Sequence, residues 1–236
     1  MSRWVIIDDS ESGISYDGAG WFQDRGSLDT LGNWGAPYFS TLHGTQSDGS
    51  FSYTFTGELC IILFSSGNSW KKQFFELGTR VIIYGTNQVS NSSGVTNPSF
   101  QCLVDGESTS VVTQPLIMAE NRLWFCERDG LSVGQHQISV AVTVSNQETF
   151  WFDNIAYLPT ASVSLANATL SIDFTDSQIQ YGSGWTTSQL GSSTSQNAAI
   201  LSFQFTGVSL FDFSLILILD PLRGRCFIDV AGILRQ

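Results

Sequence analysis

Gln137-Ile138-Ser139-Val140-Ala141-Val142-Thr143-Val144 alternates branched apolar side chains with small or polar ones. A period of two puts Ile138, Val140, Val142 and Val144 on one face, which is the pattern of a half-buried antiparallel strand. Working outward, similar runs bounded by Gly, Asn and Ser recur at Trp4 to Ile7, Phe51 to Phe55, Arg80 to Tyr84, Phe100 to Val104, Leu123 to Cys126 and Trp151 to Tyr157. No stretch of comparable length carries a capped helical stripe. The pattern predicts an all-β protein, an antiparallel β-sandwich.

Composition agrees. Of 236 residues only 13% are charged and 42% are hydrophobic, against roughly 25% charged in an average soluble domain. The chain carries enough apolar surface to form a core, and the excess of Ser, Thr, Gly and Asn suits strands and turns. Ten Lys and Arg against 21 Asp and Glu leave a net charge of −11, which excludes a basic nucleic-acid binder. No apolar run approaches the roughly 18 residues of a membrane-spanning helix. The longest, Val208 to Leu219, contains Asp212. The N-terminus as written meets Asp8 and Asp9 after a brief apolar run, so no signal peptide is expected.

The first part of the chain returns after Pro159. Ile7-Asp8-Asp9-Ser10 and the stretch from Ile14 to Trp21 reappear as Ile172-Asp173-Phe174-Thr175 and the stretch from Ile179 to Trp185, and Phe51 to Gly57 reappears as Leu201 to Gly207. The expected organisation is a sandwich domain over 1–159, a partial second copy over 160–207, and an apolar tail over 208–236 outside the pattern. Residues 58–78 read as an insertion, because their removal joins Phe-Thr-Gly directly to Thr-Arg-Val-Ile-Ile-Tyr. Gly-Glu-Leu at 57–59 and Gly-Val-Ser at 207–209 can both be encoded by a typical intron start. We therefore read 58–78 and most of the tail as translated intron, the alternative being a genuine apolar hairpin and a divergent terminus.

These residues, with Cys102-Leu103-Val104-Asp105, Cys126-Glu127, Gly134-Gln135-His136 and the run from Phe150 to Pro159, resemble a family of uncharacterised membrane-anchored proteins of mushroom-forming fungi. Its ectodomain is a tandem pair of galactose-binding-like sandwiches. The resemblance implies a jelly-roll fold and a cell-surface or extracellular setting. It also implies a second sandwich, a membrane helix and a cytoplasmic tail in full-length relatives, none of which this chain contains in full.

Four cysteines, Cys60, Cys102, Cys126 and Cys226, lack metal-site spacing. The pattern favours a bridge between the neighbouring strands that carry Cys102 and Cys126, with buried free thiols as the alternative. The resemblance makes Cys102 and Cys126 its disulfide pair. Asn91-Ser92-Ser93 and Asn167-Ala168-Thr169 are glycosylation sequons.

No catalytic, cofactor or metal motif stands out. His43 reads as a loop residue and His136 as a turn or edge residue. Carboxylates such as Asp8, Asp9, Glu11, Glu127 and Asp153 supply pairs of the kind glycosidases use, although Asp9 and Asp153 suit turn-holding roles at strand ends. The better lead is aromatic. Trp34 and Tyr38, and less so Trp21, sit in a long irregular stretch where rings can stack on sugar C–H faces. The expectation is a non-catalytic surface module that binds a glycan or another cell-surface component weakly or serves as a structural stalk. The alternatives are a carboxylate-dependent glycan-active enzyme or a defective translation product.

Overall fold

The structure is a computed structural model. It describes residues 3–57, 61–66, 69–74, 79–88, 98–111, 118–132, 134–145, 148–159, 165, 168–188, 191–203, 213–219 and 226–232. The described residues form antiparallel strands and no α-helix, and none forms a helix long and apolar enough to cross a membrane. The chain divides into two units, Ile7–Ser164 and a second made of Met1–Ile6 with Leu165–Gln236.

In the unit Ile7–Ser164 one sheet runs Glu107–Ser108, Ser99–Val104, Gly134–Thr143, Gly49–Gly57, Ser15–Asp17. The other runs Ser110–Val111, Glu120–Leu131, Thr79–Asn87, Phe150–Tyr157, Thr41–Thr45, Trp21–Arg25. The alternation in Gly134–Thr143 does what its period dictates: Ile138, Val140 and Val142 are buried and their neighbours are not. From the opposite sheet Phe152 stacks on Phe51 with ring centroids 4.1 Å apart, and Phe150 meets Phe100 and Phe125. Burying each such ring contributes about 1.5–3 kcal/mol, so this aromatic layer is a main source of cohesion between the sheets.

Phe150–Tyr157 is buried at every position and changes phase part-way along. Phe152 pairs with Gly85 but Asn154 pairs with Tyr84, leaving Asp153 as the extra residue of a bulge. Such a residue leaves the ladder and its side chain is re-aimed. Gly44, opposite Trp151, has no room for a Cβ, which would stand 2.5 Å from the Trp151 ring and 2.9 Å from Phe22.

Two expectations change here. His43 lies within the strand Thr41–Thr45 rather than in a loop; the polar, glycine-containing run Thr-Leu-His-Gly-Thr hides its strand character, because Gly44 is required by the tryptophan above it. The Cys102–Cys126 bridge forms, with Cα atoms 6.4 Å apart, but it ties the two sheets together rather than hydrogen-bonded neighbours within one.

Of residues 58–78, Ile61–Ser66 and Ser69–Phe74 pair with each other in a separate hairpin. Gly57 pairs with Gly134 and Thr79 with Leu131, so the two ends of the segment stand opposite residues that are close in sequence. Asn91 and Asn167 lie outside the described residues.

In the other unit, Arg3–Ile6 pairs with Thr169–Ile172, which pairs in turn with Cys226–Gly232. Ile172 and Ile179 are its buried pair, with Leu170, Tyr181, Leu201 and Phe203 packed around them. Arg3 makes a 3.0 Å ion pair with Asp176.

Local geometry recurs between the units. The Asp8 carboxylate accepts the Ser10 N–H at 3.2 Å, and that of Asp173 accepts the Thr175 N–H at 2.8 Å. The Tyr16 hydroxyl donates to the Asp9 carbonyl at 2.6 Å, and that of Tyr181 to the Phe174 carbonyl at 2.8 Å. Tyr16 pairs with Phe51 across its ladder, as Tyr181 does with Leu201.

Candidate functional site

Residues 26–40 contain no strand, and three consecutive side chains of Glu120–Leu131 hold them in place. Glu120, buried, accepts the Asn33 N–H at 2.7 Å and its side-chain amide at 3.1 Å. Asn121, fully buried, donates to the Leu28 carbonyl at 2.7 Å and the Leu31 carbonyl at 3.1 Å, while its Oδ1 accepts the Thr86 hydroxyl at 2.7 Å. Arg122 donates from Nε to the Ala36 carbonyl at 2.6 Å, and its guanidinium lies 5.1 Å from the Tyr38 ring centroid. In a regular strand three neighbours would alternate between faces. Here the register slips between Glu120 and Leu123, and Arg122 takes φ 55°, so the irregularity turns all three towards the loop. Gly32, at φ 73°, passes so close that a Cβ would stand 2.1 Å from Glu120 Oε2.

The loop ends in a tight turn at Tyr38–Ser40, where Phe39 and Ser40 adopt φ 49° and 56°. Left-handed backbone at non-glycine residues costs about 1–3 kcal/mol each and persists only where surrounding bonds enforce it. Those bonds come from carboxyl groups. Asp153 Oδ1 accepts the Tyr38 N–H at 2.9 Å, and the Thr41 hydroxyl lies 2.6 Å from Asp9 Oδ1 and 3.4 Å from Asp8. Asp9 Oδ2 is 2.6 Å from His43 Nδ1, and the His43 ring stacks on Tyr16 at 4.4 Å. The Asp9 N–H donates to the Asp153 carbonyl at 2.9 Å, which ties the first aspartates to the bulge.

Asp9 and Asp153 have no solvent exposure, and Asp153 Oδ2 is buried with no hydrogen-bond partner. Burial pushes the Asp153 carboxyl up to about 7; Arg122, the Tyr38 N–H and Asn154, which closes no bond to Oδ2, oppose the rise, and Asp8 adds to it. Burial also pushes Asp8 up to about 6, aided by the charge of Asp9 and opposed by Ser10 and Thr41. The Tyr16 hydroxyl is pushed up by burial and by Asp9 and Asp8. Among the described residues no group of three or more His, Cys, Asp or Glu is arranged to hold a metal ion.

The aromatic candidates separate. Trp21 donates its indole N–H to the Asp17 carbonyl at 2.9 Å and meets Phe51 and Phe150 edge-on at 6.0 and 6.4 Å, so it packs into the inter-sheet layer. Trp34 and Tyr38 are half-buried in the clamped loop. Phe39, absent from the sequence reading, is 41% exposed at the tip of the strained turn. Nothing in the order Pro37-Tyr38-Phe39-Ser40 announces a left-handed turn, and Glu120-Asn121-Arg122 reads as the start of an ordinary strand.

His136 is buried rather than at an edge. Its Nε2 lies 2.7 Å from the Ser132 carbonyl and its Nδ1 2.7 Å from the Asp105 carboxylate, so both nitrogens must donate and the ring is an imidazolium. Burial alone would lower its pKa, but Asp105 and Ser132 overcome this and raise it, while that of Asp105 is lowered against the pull of its own partial burial. The linkage has two arms. The His136 contribution is complete below its unfolded value and is lost as pH rises through the raised folded value. The Asp105 contribution is present above its unfolded value and is lost as pH falls through the lowered one. Because Asp105 is 46% exposed, solvent screening holds the pair to about 1 kcal/mol. His136→Gln should therefore destabilise the protein more in denaturant titrations near pH 5.5 than near pH 9; equal losses would contradict the ion pair.

No protein-family model matches the chain, and no curated protein matches it in sequence.

Proposed function

We propose that this chain is a non-catalytic, cell-surface β-sandwich module of the jelly-roll, galactose-binding-like type that recognises glycan through the loop 26–40, followed by an incomplete second copy. The two antiparallel sheets with an aromatic layer between them, and the local geometry shared by Asp8 to Tyr16 and Asp173 to Tyr181, support the fold part of this reading. The observation that carries the functional part is the clamp. A loop bearing Trp34, Tyr38 and Phe39 is fixed by three side chains of one strand, so little ordering entropy remains to be lost when a ligand docks. Tyr38 has the Arg122 guanidinium near its ring, Trp34 is half-buried in the same loop, and Phe39 is the exposed ring at its tip.

Binding of the full chain to a glycan array, followed by calorimetric titration of the best ligand, tests this. Trp34→Ala and Phe39→Ala should each weaken binding roughly tenfold or more, since base or sugar stacking on a ring is worth about 1–3 kcal/mol. Binding that survives both substitutions would remove the loop from the site.

A carboxylate-dependent glycan-active enzyme is the second reading, favoured by two carboxyls pushed up in one neighbourhood, Asp8 and Asp153, the first of which adds to the rise of the second. Full burial of Asp9 and Asp153 counts against it, because an acid or nucleophile has to touch the glycosidic bond. Release of reducing sugar by the wild-type chain, lost in Asp8→Asn, would favour the enzyme.

A further inference from the structure

The Asp153 carboxyl sits on a bulge, fully buried, with Oδ1 on the Tyr38 N–H and Oδ2 facing no donor. That arrangement suits a neutral acid better than a carboxylate, because an ionised group would hold a full charge on one hydrogen bond with no exposure to solvent. The same bond fixes the turn in which Phe39 and Ser40 are held left-handed. The groups around it are known from each neighbouring element. Asp8 and Asp9 follow from the first strand, with His43 of Thr41–Thr45 against Asp9 and Tyr16 of Ser15–Asp17 against both. Tyr84 of Thr79–Asn87 feels the Asp153 charge, and Arg122 of Glu120–Leu131 is the cation that favours ionisation. Arg122 already donates from Nε to Ala36, so its charge is shared with the loop.

We propose that Asp153 is a proton-operated latch on the recognition loop: protonated, it holds Tyr38–Ser40 in the strained turn that presents Phe39, and ionised, it draws in water and lets the turn relax. The inference rests on the reading of that loop as the recognition face. Two observations beyond the buried acid point the same way. The unpartnered Oδ2 needs a donor once charged, and admitting water to it requires the covering segment to move. The internal repeat supplies a control: the tyrosine-to-carbonyl bond is kept in the second turn, but Phe174 stands where Asp9 stands in the first. The second turn therefore keeps a carboxyl at the place of Asp8, in Asp173, but folds without one at the place of Asp9, the residue whose main chain is tied to the Asp153 bulge.

Hydrogen exchange at the Tyr38 and Ser40 amides of the full chain, expressed as protection factors and measured beside glycan binding, tests the latch. Between pH values of about 5.5 and 8 the wild-type protection should fall about tenfold or more, whereas Asp153→Asn, whose carbonyl can still accept the Tyr38 N–H, should change by less than about twofold. Asp8→Asn removes a neighbouring negative charge that discourages Asp153 from ionising, so it should move the fall to lower pH, and a fall moved to higher pH would contradict the latch. Wild-type protection that stays constant or rises with pH would overturn the proposal, and that series needs no variant to fold. If no glycan binds at any pH while protection still falls, the recognition reading fails and the latch stands. If glycan binds while protection ignores pH, the latch fails and recognition stands.

Discussion

Replacing both Cys102 and Cys126 by alanine is expected to lower stability by roughly 3.5 kcal/mol, the loop-closure contribution of a bridge of this span. The two residues are separated by 24 positions, and both sulfurs are buried in the layer between the sheets. Ser99–Val104 reaches the other sheet through this bond and through Phe100 against Phe125 and Phe150. Without the covalent tie, the aromatic contacts alone have to hold that strand against the opposite face. For a unit of about 150 residues the loss corresponds to a fall in melting temperature of roughly 7–14 °C, readable by calorimetry. A double variant that melts within about 2 °C of wild type would mean that the bridge is absent or that the unfolded chain is already constrained.

The strands with the clearest period were legible, and the site was not. Of the seven runs picked out by alternation or β-branched content, six lie within strands and the seventh does so up to Thr143, with Val144 just beyond its end, because a half-buried strand writes its two faces directly into the residue order. Ser15–Asp17, Trp21–Arg25 and Thr41–Thr45 escaped, being short and polar on one face, with Gly44 demanded by the Trp151 ring rather than by any local preference. The cysteine pair was assigned only through a family resemblance, since the pattern favoured a bridge but left free thiols open. The site depends on two slips of register, at Asp153 and at Arg122, and a slip is a relation between two strands that neither strand's sequence contains. Asp153 looked like one carboxylate among many until the bulge buried it beside Asp8 and Asp9. Phe39 drew no attention in the sequence, because its exposure depends on two left-handed residues that nothing in the residue order signals.

Asn121→Ala is expected to be the most damaging single change outside the aromatic core, at about 3–4 kcal/mol. The side chain is fully buried and satisfies three partners at once, the Thr86 hydroxyl and the carbonyls of Leu28 and Leu31. Alanine leaves each of them short of a bond, and a buried polar group without its partner costs about 1–3 kcal/mol. Leu31 is half-buried, so its carbonyl regains part of the loss from water, which keeps the total below a simple sum. Asn121→Asp is worse rather than conservative: it keeps the acceptor for Thr86 but replaces the amide donor with a negative charge facing two carbonyl oxygens. Asn33→Ala makes the useful comparison. It removes the 3.1 Å side-chain bond to Glu120 but keeps the main-chain bond at 2.7 Å, and its side chain is exposed. That variant should lose about 1 kcal/mol or less. Denaturant titration of the three variants orders them as Asp below Ala below the Asn33 variant. If Asn121→Ala proved as mild as Asn33→Ala, the loop would be held by something other than this strand, and the case for a preorganised aromatic face would go with it.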